Sequence, residues 1–178
     1  MRAAPYIKTI ICLANSFKIG GSCIAGKEML AHQYGGWIRP VSARETAEVR
    51  PDECRLTNHA LPKLMDILAI PMLNAAPRRH QTENHIIDTT RHWTKVGVLP
   101  WHELAPMCDC PPSLWVNGNH TKTGGTNNCV SAEQASALRS SLLLIRPESF
   151  NVEVSLQAGV EKPIRKLWGH FDYKRCPL

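Results

Sequence analysis

Long apolar segments are missing from this chain of 178 residues. No stretch reaches the roughly 18 consecutive apolar residues that a membrane-spanning helix requires. The N-terminal segment MRAAP also lacks the apolar core of a secretory signal peptide. Both absences argue against a membrane partner and against secretion, so we expect a cytoplasmic protein.

A paired cysteine pattern is missing as well. The seven cysteines are odd in number and scattered, which argues against a disulfide framework and for reduced thiols in the cytosol. Cys108 and Cys110 are close in sequence, and His120 and Cys129 lie within reach of a loop. The usual CxxC element with a second matched pair is absent. We therefore predict no metal site, and zinc binding by these four residues stays an open alternative.

The sequence contains no recognisable catalytic motif. The segment from His80 to His85 lacks the HExxH spacing of zinc proteases, and the glycine-containing loops do not match a P-loop. We therefore predict no catalytic residue and no cofactor. An enzyme that modifies nucleic acid or a nucleotide stays open as an alternative. The residues that would hold a metal ion or act as acid and base in that alternative are Asp66, His80, Glu83 and Asp88.

Aromatic and acidic residues are both in short supply. The chain has three Phe, three Tyr and five Trp, so any single ring is more often a core residue than a binding surface. Lysine and arginine together number 21 against 15 acidic residues, which gives a net charge of +6. This excess favours a polyanionic partner.

One segment, 35–42 (GGWIRPVS), combines a glycine pair, a large ring and a cation. Arginine recognises planar anions and stacks on rings, tryptophan is the best cation–π partner, and glycine allows close backbone approach. Trp37 and Arg39 are therefore predicted to contact a phosphate, a base or both. An ordinary edge strand with Trp37 in the core is the structural alternative.

Strand-length apolar runs dominate the chain, and helical signals are few. Ser131 and Gln134 form a capping-box pattern that predicts a helix over 135–141, and Pro100 suits the first position of another short helix. The polar segments 15–22 and 75–88 are predicted to be a loop and a connection. The predicted strands are 6–14, 23–29, 37–42, 64–73, 142–146, 150–156 and 164–173. We expect a mainly β fold of the β-barrel type with a few short helices.

Basic residues are interleaved with aromatic and amide residues along much of the chain. A surface that binds nucleic acid needs cations for the phosphates and flat rings for the bases. We therefore predict a nucleic-acid-binding module, with single-stranded DNA or RNA as its partner. The predicted binding residues are Lys18, Lys27, Trp37, Arg39, Arg44, Arg78, Arg79 and Arg165.

Three N-terminal segments, ICLANS (11–16), CIAGKE (23–28) and GWIRPVS (36–42), carry a resemblance that later segments LMDI, HQTEN and SLLLI extend. With them the chain resembles the dual OB-containing domain family over most of its length. The resemblance implies two small β-barrels of the OB type, which bind single strands across one sheet face. It also implies a bacterial protein from a multi-component system of the anti-phage defence type.

On this resemblance, the first OB-like barrel covers about residues 1–74 and the segment 75–128 connects it, through loops and short helices, to the second. Residues 129–178 supply the strands of the second barrel, which is predicted to be incomplete because the chain stops soon after the strand 164–173. An exposed sheet edge invites pairing with another chain. We therefore predict a protein partner or self-association through the C-terminal region, and a structural subunit of a complex is the third functional alternative.

Overall fold

The structure is a computed structural model that describes residues 4–18, 20–31, 33–112, 114, 129–157 and 163–173. Within these residues the chain forms eight strands, one short α-helix and two 3₁₀ turns. The strands are β1 (Tyr6–Lys18), β2 (Gly21–Met29), β3 (Tyr34–Val41), β4 (Asp66–Ala75), β5 (Asn84–Ile87), β6 (Thr94–Val98), β7 (Ser149–Gln157) and β8 (Ile164–Asp172). The helix α1 is Ala132–Ser136, and the 3₁₀ turns are Trp101–Glu103 and Ala105–Met107. This mainly β composition confirms the predicted fold class.

The described residues fall into two compact units. The first unit lies within Met1–Met107 and Asn117–Leu143, and the second lies within Cys108–Val116 and Leu144–Leu178. The division at residues 74 and 128 that the resemblance implies stays a prediction, as does the incomplete second barrel.

The first unit is built on a closed ring of five strands. Antiparallel pairing joins β1 to β2, β2 to β3 and β4 to β5, whereas β3 runs parallel to β5. The ring closes because β1 also pairs with β4, from Tyr6 opposite Met72 to Ile11 opposite Ile67. β6 is a sixth strand that pairs with β4. Closure gives each of these five strands a hydrogen-bonded neighbour on both sides.

Alternation along the strands fills the ring with apolar side chains. Ile10 of β1, Ile24 of β2 and Ile38 of β3 are all 6% exposed or less and belong to one apolar cluster. The other members of the cluster are Cys12, Val49, Cys54, Leu56, Leu68, Ile70, Met72, Ile87 and Trp93. Successive strand residues point to opposite faces. Trp37 and Arg39, which flank Ile38, therefore point out of the barrel.

The connection between β1 and β2 corrects the prediction of a loop over 15–22. β1 continues to Lys18 and β2 begins at Gly21, so Phe17 pairs with Ser22 and Lys18 pairs with Gly21 in a tight hairpin. The sequence is polar there because this end of the hairpin extends past the apolar core. The predicted connection 75–88 was also wrong in part, since it contains β5, and β6 was not predicted.

The predicted cap at Ser131 is confirmed, whereas the predicted bounds of the helix that follows it are wrong. The Ser131 hydroxyl accepts a hydrogen bond from the Gln134 backbone at 3.2 Å, but α1 spans Ala132–Ser136 and shares only residues 135 and 136 with the predicted range 135–141. The 3₁₀ turn Trp101–Glu103 follows directly after Pro100. No helix in the described part of the chain is long and apolar enough to cross a membrane. The cytoplasmic location stays a prediction.

The second unit is organised around the hairpin of β7 and β8. These strands pair without interruption from Ser149 opposite Asp172 to Gln157 opposite Ile164, which confirms two predicted strands. The prediction of a strand over 142–146 is wrong. Leu144 instead exchanges hydrogen bonds of 2.6 and 2.8 Å with the backbone and the carboxylate of Asp109, so a single residue takes the place of a partner strand.

Candidate nucleic-acid interface

A groove of about 340 Å³ opens on the first unit beside β3. We call it the β3 groove, and it is lined by residues 39–41 of β3, residues 45–48 of the β3–β4 loop, residues 78–81 of the β4–β5 loop, and Cys23 of β2. The two loops meet at this point because Arg78 Nη1 donates to the backbone oxygen of Glu45 at 3.0 Å. The groove therefore joins a strand of the barrel to two of its loops.

Arg39 is held at the groove by a buried carboxylate. Its Nη2 lies 3.2 Å from Oε1 of Glu83 and donates to the Ser141 hydroxyl at 2.8 Å. The Ser141 hydroxyl donates in turn to the same Glu83 oxygen. The Glu83 side chain is 3% exposed and that of Arg39 is 19% exposed. Burial strengthens a charge pair relative to one in water, so the guanidinium keeps a fixed position while part of it faces solvent.

The β4–β5 loop supplies exposed positive charge. Arg78 and Gln81 exchange two backbone hydrogen bonds of 3.0 Å, which closes a tight turn with Arg79 and His80 at its tip. Arg79 has a φ of +54°, in the left-handed region that residues with a Cβ seldom adopt. Such a conformation costs on the order of 1 kcal/mol and recurs at functional loops. The turn presents two exposed arginines at the groove.

Lys27 and Trp37 lie directly opposite each other on β2 and β3. The Lys27 ammonium is 5.9 Å from the centre of the Trp37 ring, which is a cation–π contact. Lys27 is only 8% exposed, so most of its surface is covered by protein. Trp37 is half-buried and shares the outer face of β3 with Arg39.

Arg44 is engaged within the β3–β4 loop. Its two terminal nitrogens donate to both carboxylate oxygens of Glu53 at 2.6 and 2.5 Å, and one of them also donates to the Glu48 backbone at 2.8 Å. The hydrogen bond between them raises the pKa of Arg44 and lowers the pKa of Glu53. A bidentate pair of this kind fixes both side chains. Arg44 therefore braces the loop and is not among the lining residues.

The two remaining predicted residues are not among the lining residues. Lys18 ends β1 opposite Gly21. Arg165 is an exposed residue of β8 in the second unit, opposite Leu156. Of the predicted binding residues, the structure brings Arg39, Arg78 and Arg79 into one groove.

The residues of the enzyme alternative have separate partners in the fold. Asp66 forms an ion pair with Lys95 at 2.5 Å, and Asp88 accepts hydrogen bonds from the backbone and hydroxyl of Thr90. Across the described ranges, no three His, Cys, Asp or Glu side chains are grouped so as to hold a metal ion. The structure therefore does not bring the four residues of that alternative into one metal site.

The cysteines occupy contrasting environments. Burial raises the pKa of Cys12 to about 12 and the pKa of Cys54 to about 11, which keeps both thiols protonated and unreactive. Cys23 is exposed in the β3 groove, and Cys110 is exposed in the second unit. His120 lies outside the described residues, so zinc binding with Cys108, Cys110 and Cys129 stays a prediction.

Glu83 and Ser141 were not assigned to the binding surface from the sequence. Glu83 meets Arg39 because β3 and β5 are parallel neighbours, and the Arg39 backbone N–H donates to the backbone oxygen of Glu83 at 2.8 Å. Ser141 follows α1, and nearby Thr82 donates to the Arg139 backbone oxygen at 2.6 Å. The OB strand order, which the resemblance implied, was the signal that could have paired β3 with the segment around Glu83.

The ring order β1-β2-β3-β5-β4, closed by β1 with β4 and parallel at β3 and β5, defines the first unit as an OB-fold barrel. OB folds bind their ligands on the face of the second and third strands and on adjoining loops, including the one between the fourth and fifth strands. The chain belongs to the dual OB-containing domain family, whose model matches residues 8–177. Searches of curated proteins and of solved structures found no match.

Proposed function

We propose that the first unit binds single-stranded nucleic acid along the β3 groove. The observation that carries this proposal is the convergence of Arg39, Arg78 and Arg79 at the strand and loop that OB barrels use for ligands. Guanidinium groups match the geometry of phosphate oxygens. Trp37, on the outer face of β3, adds a ring on which a base could stack. The net charge of +6 supports a polyanionic ligand.

The two sides of the groove differ in charge, and this difference orients the proposed ligand. The β4–β5 loop carries Arg78 and Arg79, whereas the β3–β4 loop carries the exposed Glu45 and the buried Glu48. Glu48 is compensated by Arg44 at 3.6 Å. Carboxylates repel phosphates and accept hydrogen bonds from base amino groups. We therefore place the phosphates along the arginine side and the base edges toward Glu45.

Binding is tested by fluorescence anisotropy with labelled single-stranded DNA, single-stranded RNA and duplex DNA. We expect a dissociation constant of about 1 µM or below for a single strand at low salt, and weaker binding to the duplex. Arg78→Gln and Arg79→Asn each remove one charge, and asparagine tolerates the left-handed conformation at position 79. Each should weaken binding by roughly fivefold to tenfold.

The matched control is Arg91→Gln. Arg91 is an exposed arginine in the turn after β5, at the opposite end of that strand from the β4–β5 loop, so this variant changes the net charge equally. If all three variants lose affinity equally, the binding is a response to net charge and the groove is not the site. If no single-stranded ligand binds at low salt, the proposal is overturned.

The exposed thiol of Cys23 gives an independent test of location. Cys23 lines the groove, so a bound strand should slow its alkylation by iodoacetamide, as followed by mass spectrometry of the labelled peptides. Cys110, exposed in the second unit, is the internal control and should react at an unchanged rate. Equal rates at Cys23 with and without saturating ligand would place the bound strand elsewhere.

The biological setting is part of the proposal as well. Membership of the family supports an OB-fold module that binds nucleic acid or protein. We propose that the module works in a multi-component bacterial system of the defence type. The anisotropy series compares the affinity for single-stranded DNA with the affinity for single-stranded RNA. A contact to the 2′-hydroxyl group would make the affinity for RNA the higher of the two.

A further inference from the structure

The β7–β8 hairpin of the second unit is amphipathic. Residues that face each other across two strands share one side of the sheet, and the register therefore assigns each residue to a face. One face carries Phe150, Val152, Val154 and Leu156 of β7 with Arg165, Leu167, Gly169 and Phe171 of β8, and we call it the hairpin face. The opposite face carries polar contacts, including Trp168 to Ser155 at 3.0 Å and His170 to Glu153 at 3.2 Å.

The hairpin face is open to solvent along most of its length. Its six large apolar side chains are between 40% and 74% exposed, with Phe171 the most covered and Leu167 the least. The Phe150 ring leans over Gly169, with ring carbons 3.3 and 3.6 Å from where a Cβ would stand, yet it remains 64% exposed. A two-stranded hairpin is marginally stable in water unless its apolar face is packed. This face therefore requires a cover.

We infer that the hairpin face packs against the same face of a second copy of this chain. The charge distribution is compatible with this occupant, because each hairpin face carries a single charged residue, Arg165, at one of its ends. A polyanion is disfavoured because Arg165 is the only charged residue on the face. An interface about a two-fold axis brings identical patches together and demands that the patch complement itself.

The hairpin face meets that demand through its two ends. One end carries Phe150 opposite Phe171, and the other carries Leu156 opposite Arg165. A two-fold axis running across the strands places the Phe end of each copy over the Arg165 end of the other. Each Arg165 guanidinium then lies on an aromatic ring of the other copy, so the dimer contains two equivalent cation–π contacts.

The exposed area supports a reversible dimer. For residues whose full surface is on the order of 150–200 Å², the exposed fractions of the six apolar side chains amount to roughly 600 Å² on each copy. A stable interface of standard size buries about 800 Å² per partner. We expect a dimer with a dissociation constant of about 1 to 100 µM.

Sedimentation velocity of the full chain over a wide concentration range tests the inference. The wild-type chain should shift from monomer to dimer as its concentration rises. Leu167→Glu places a charge in the centre of the face and should weaken dimerisation by at least about tenfold. The matched control is Ile164→Glu on the same strand, because Ile164 is 58% exposed but belongs to the opposite face, and this variant should dimerise as the wild type does.

Arg165→Glu is the second test variant, for the case in which circular dichroism shows that Leu167→Glu alters the fold. This change is at an exposed position and removes only the proposed contact with the aromatic end, so dimerisation should weaken by roughly tenfold. A wild-type chain that stays monomeric at every concentration would overturn the inference. It would also be overturned by a dimer that tolerates both Leu167→Glu and Arg165→Glu.

Discussion

Arg39 serves the proposed site and the stability of the barrel at the same time. Its partner Glu83 is almost fully buried, and Oε2 of that carboxylate has no hydrogen-bond partner in the described structure. The buried charge is therefore compensated by Arg39 together with the hydroxyl of Ser141. A substitution that removes the guanidinium leaves a buried carboxylate behind, so loss of binding by such a variant would not by itself identify a contact.

We predict that Arg39→Ala lowers the free energy of unfolding by about 3 kcal/mol, because breaking a buried pair leaves one charge uncompensated. Glu83→Gln added to Arg39→Ala should restore part of this loss, since the remaining amide is neutral. Urea unfolding of the two single variants and the double variant measures the coupling. Additive losses would show that the two side chains do not stabilise each other, and Arg39→Ala would then report on binding directly.

His85 predicts a pH dependence of stability. Burial lowers the pKa of His85 below its usual value of 6.5, with a further contribution from the charge of Lys8. The Tyr6 hydroxyl lies 2.6 Å from its Nδ1, and Lys8 is paired with Glu28 at 2.7 Å. A neutral imidazole suits this surrounding. Below about pH 6.5 the unfolded chain therefore binds more protons than the folded chain does.

The contribution of His85 to the unfolding free energy should accordingly be constant well above pH 6.5 and fall as the pH drops from there toward its folded-state pKa. His85→Gln keeps a polar group beside Tyr6 but does not titrate, so its stability should change less between pH 7.5 and 5.5. Urea midpoints across that window provide the measurement. The carboxylates with lowered pKa, such as Glu53 and Asp88, act at lower pH, because their ordinary values are 4.5 and 3.8. Identical slopes for both proteins would contradict the prediction.

At the scale of strands, the pairing of β1 with β2 depends on a glycine that the sequence alone does not single out. A Cβ on Gly26 would stand 2.0 Å from the backbone oxygen of Ile11, whereas a Cβ on Gly36 would meet nothing within 4 Å. The glycine pair in front of Trp37 draws attention in the sequence, yet the close backbone approach occurs at Gly26. This approach is a property of the pairing between strands and becomes visible only in three dimensions.

Gly26→Ala should therefore prevent or strongly destabilise folding, because the contact is with backbone that cannot rotate away. Gly36→Ala makes the same chemical change at an open position and should alter the unfolding free energy by no more than about 0.5 kcal/mol. Thermal unfolding followed by circular dichroism compares the two variants. A folded Gly26→Ala protein with the melting temperature of the wild type would disprove the close approach of the β1 and β2 backbones at this position.

Among the elements, those with apolar alternation were predictable and those without it were not. The runs that form β1, β4, β7 and β8 are recognisable as strands in the sequence, because their residues alternate between apolar and polar or are continuously apolar. β5 has four residues in a polar surrounding, and the end of the β1–β2 hairpin has no core to face. Arg39 was predictable from its flat, charged side chain beside Trp37, whereas its dependence on Glu83 needed the parallel pairing of β3 with β5.

At the scale of the whole molecule, the two units carry different kinds of surface. The first presents the arginines of the β3 groove on a closed barrel. The second presents the apolar hairpin face, on strands that carry equal numbers of acidic and basic residues. A basic groove attracts a polyanion, and an exposed apolar face packs against another protein surface. Contact with nucleic acid and contact with a second copy should therefore be separable by substitution.

The salt dependence of binding measures this separation. Each phosphate neutralised on a single strand contributes about −0.7 to the slope of log K against log salt, so the exposed Arg78 and Arg79 together predict a slope of about −1.4. Arg78→Gln should make the slope shallower by about 0.7, because one phosphate contact is lost. Arg165→Gln removes the same charge from the second unit and should leave the slope unchanged while it weakens self-association. A shallower slope for Arg165→Gln, measured by anisotropy at a concentration where the chain is monomeric, would mean that β8 also contacts the strand. The second unit would then be part of the nucleic-acid surface, and Arg165 would no longer serve as a selective probe of the hairpin face.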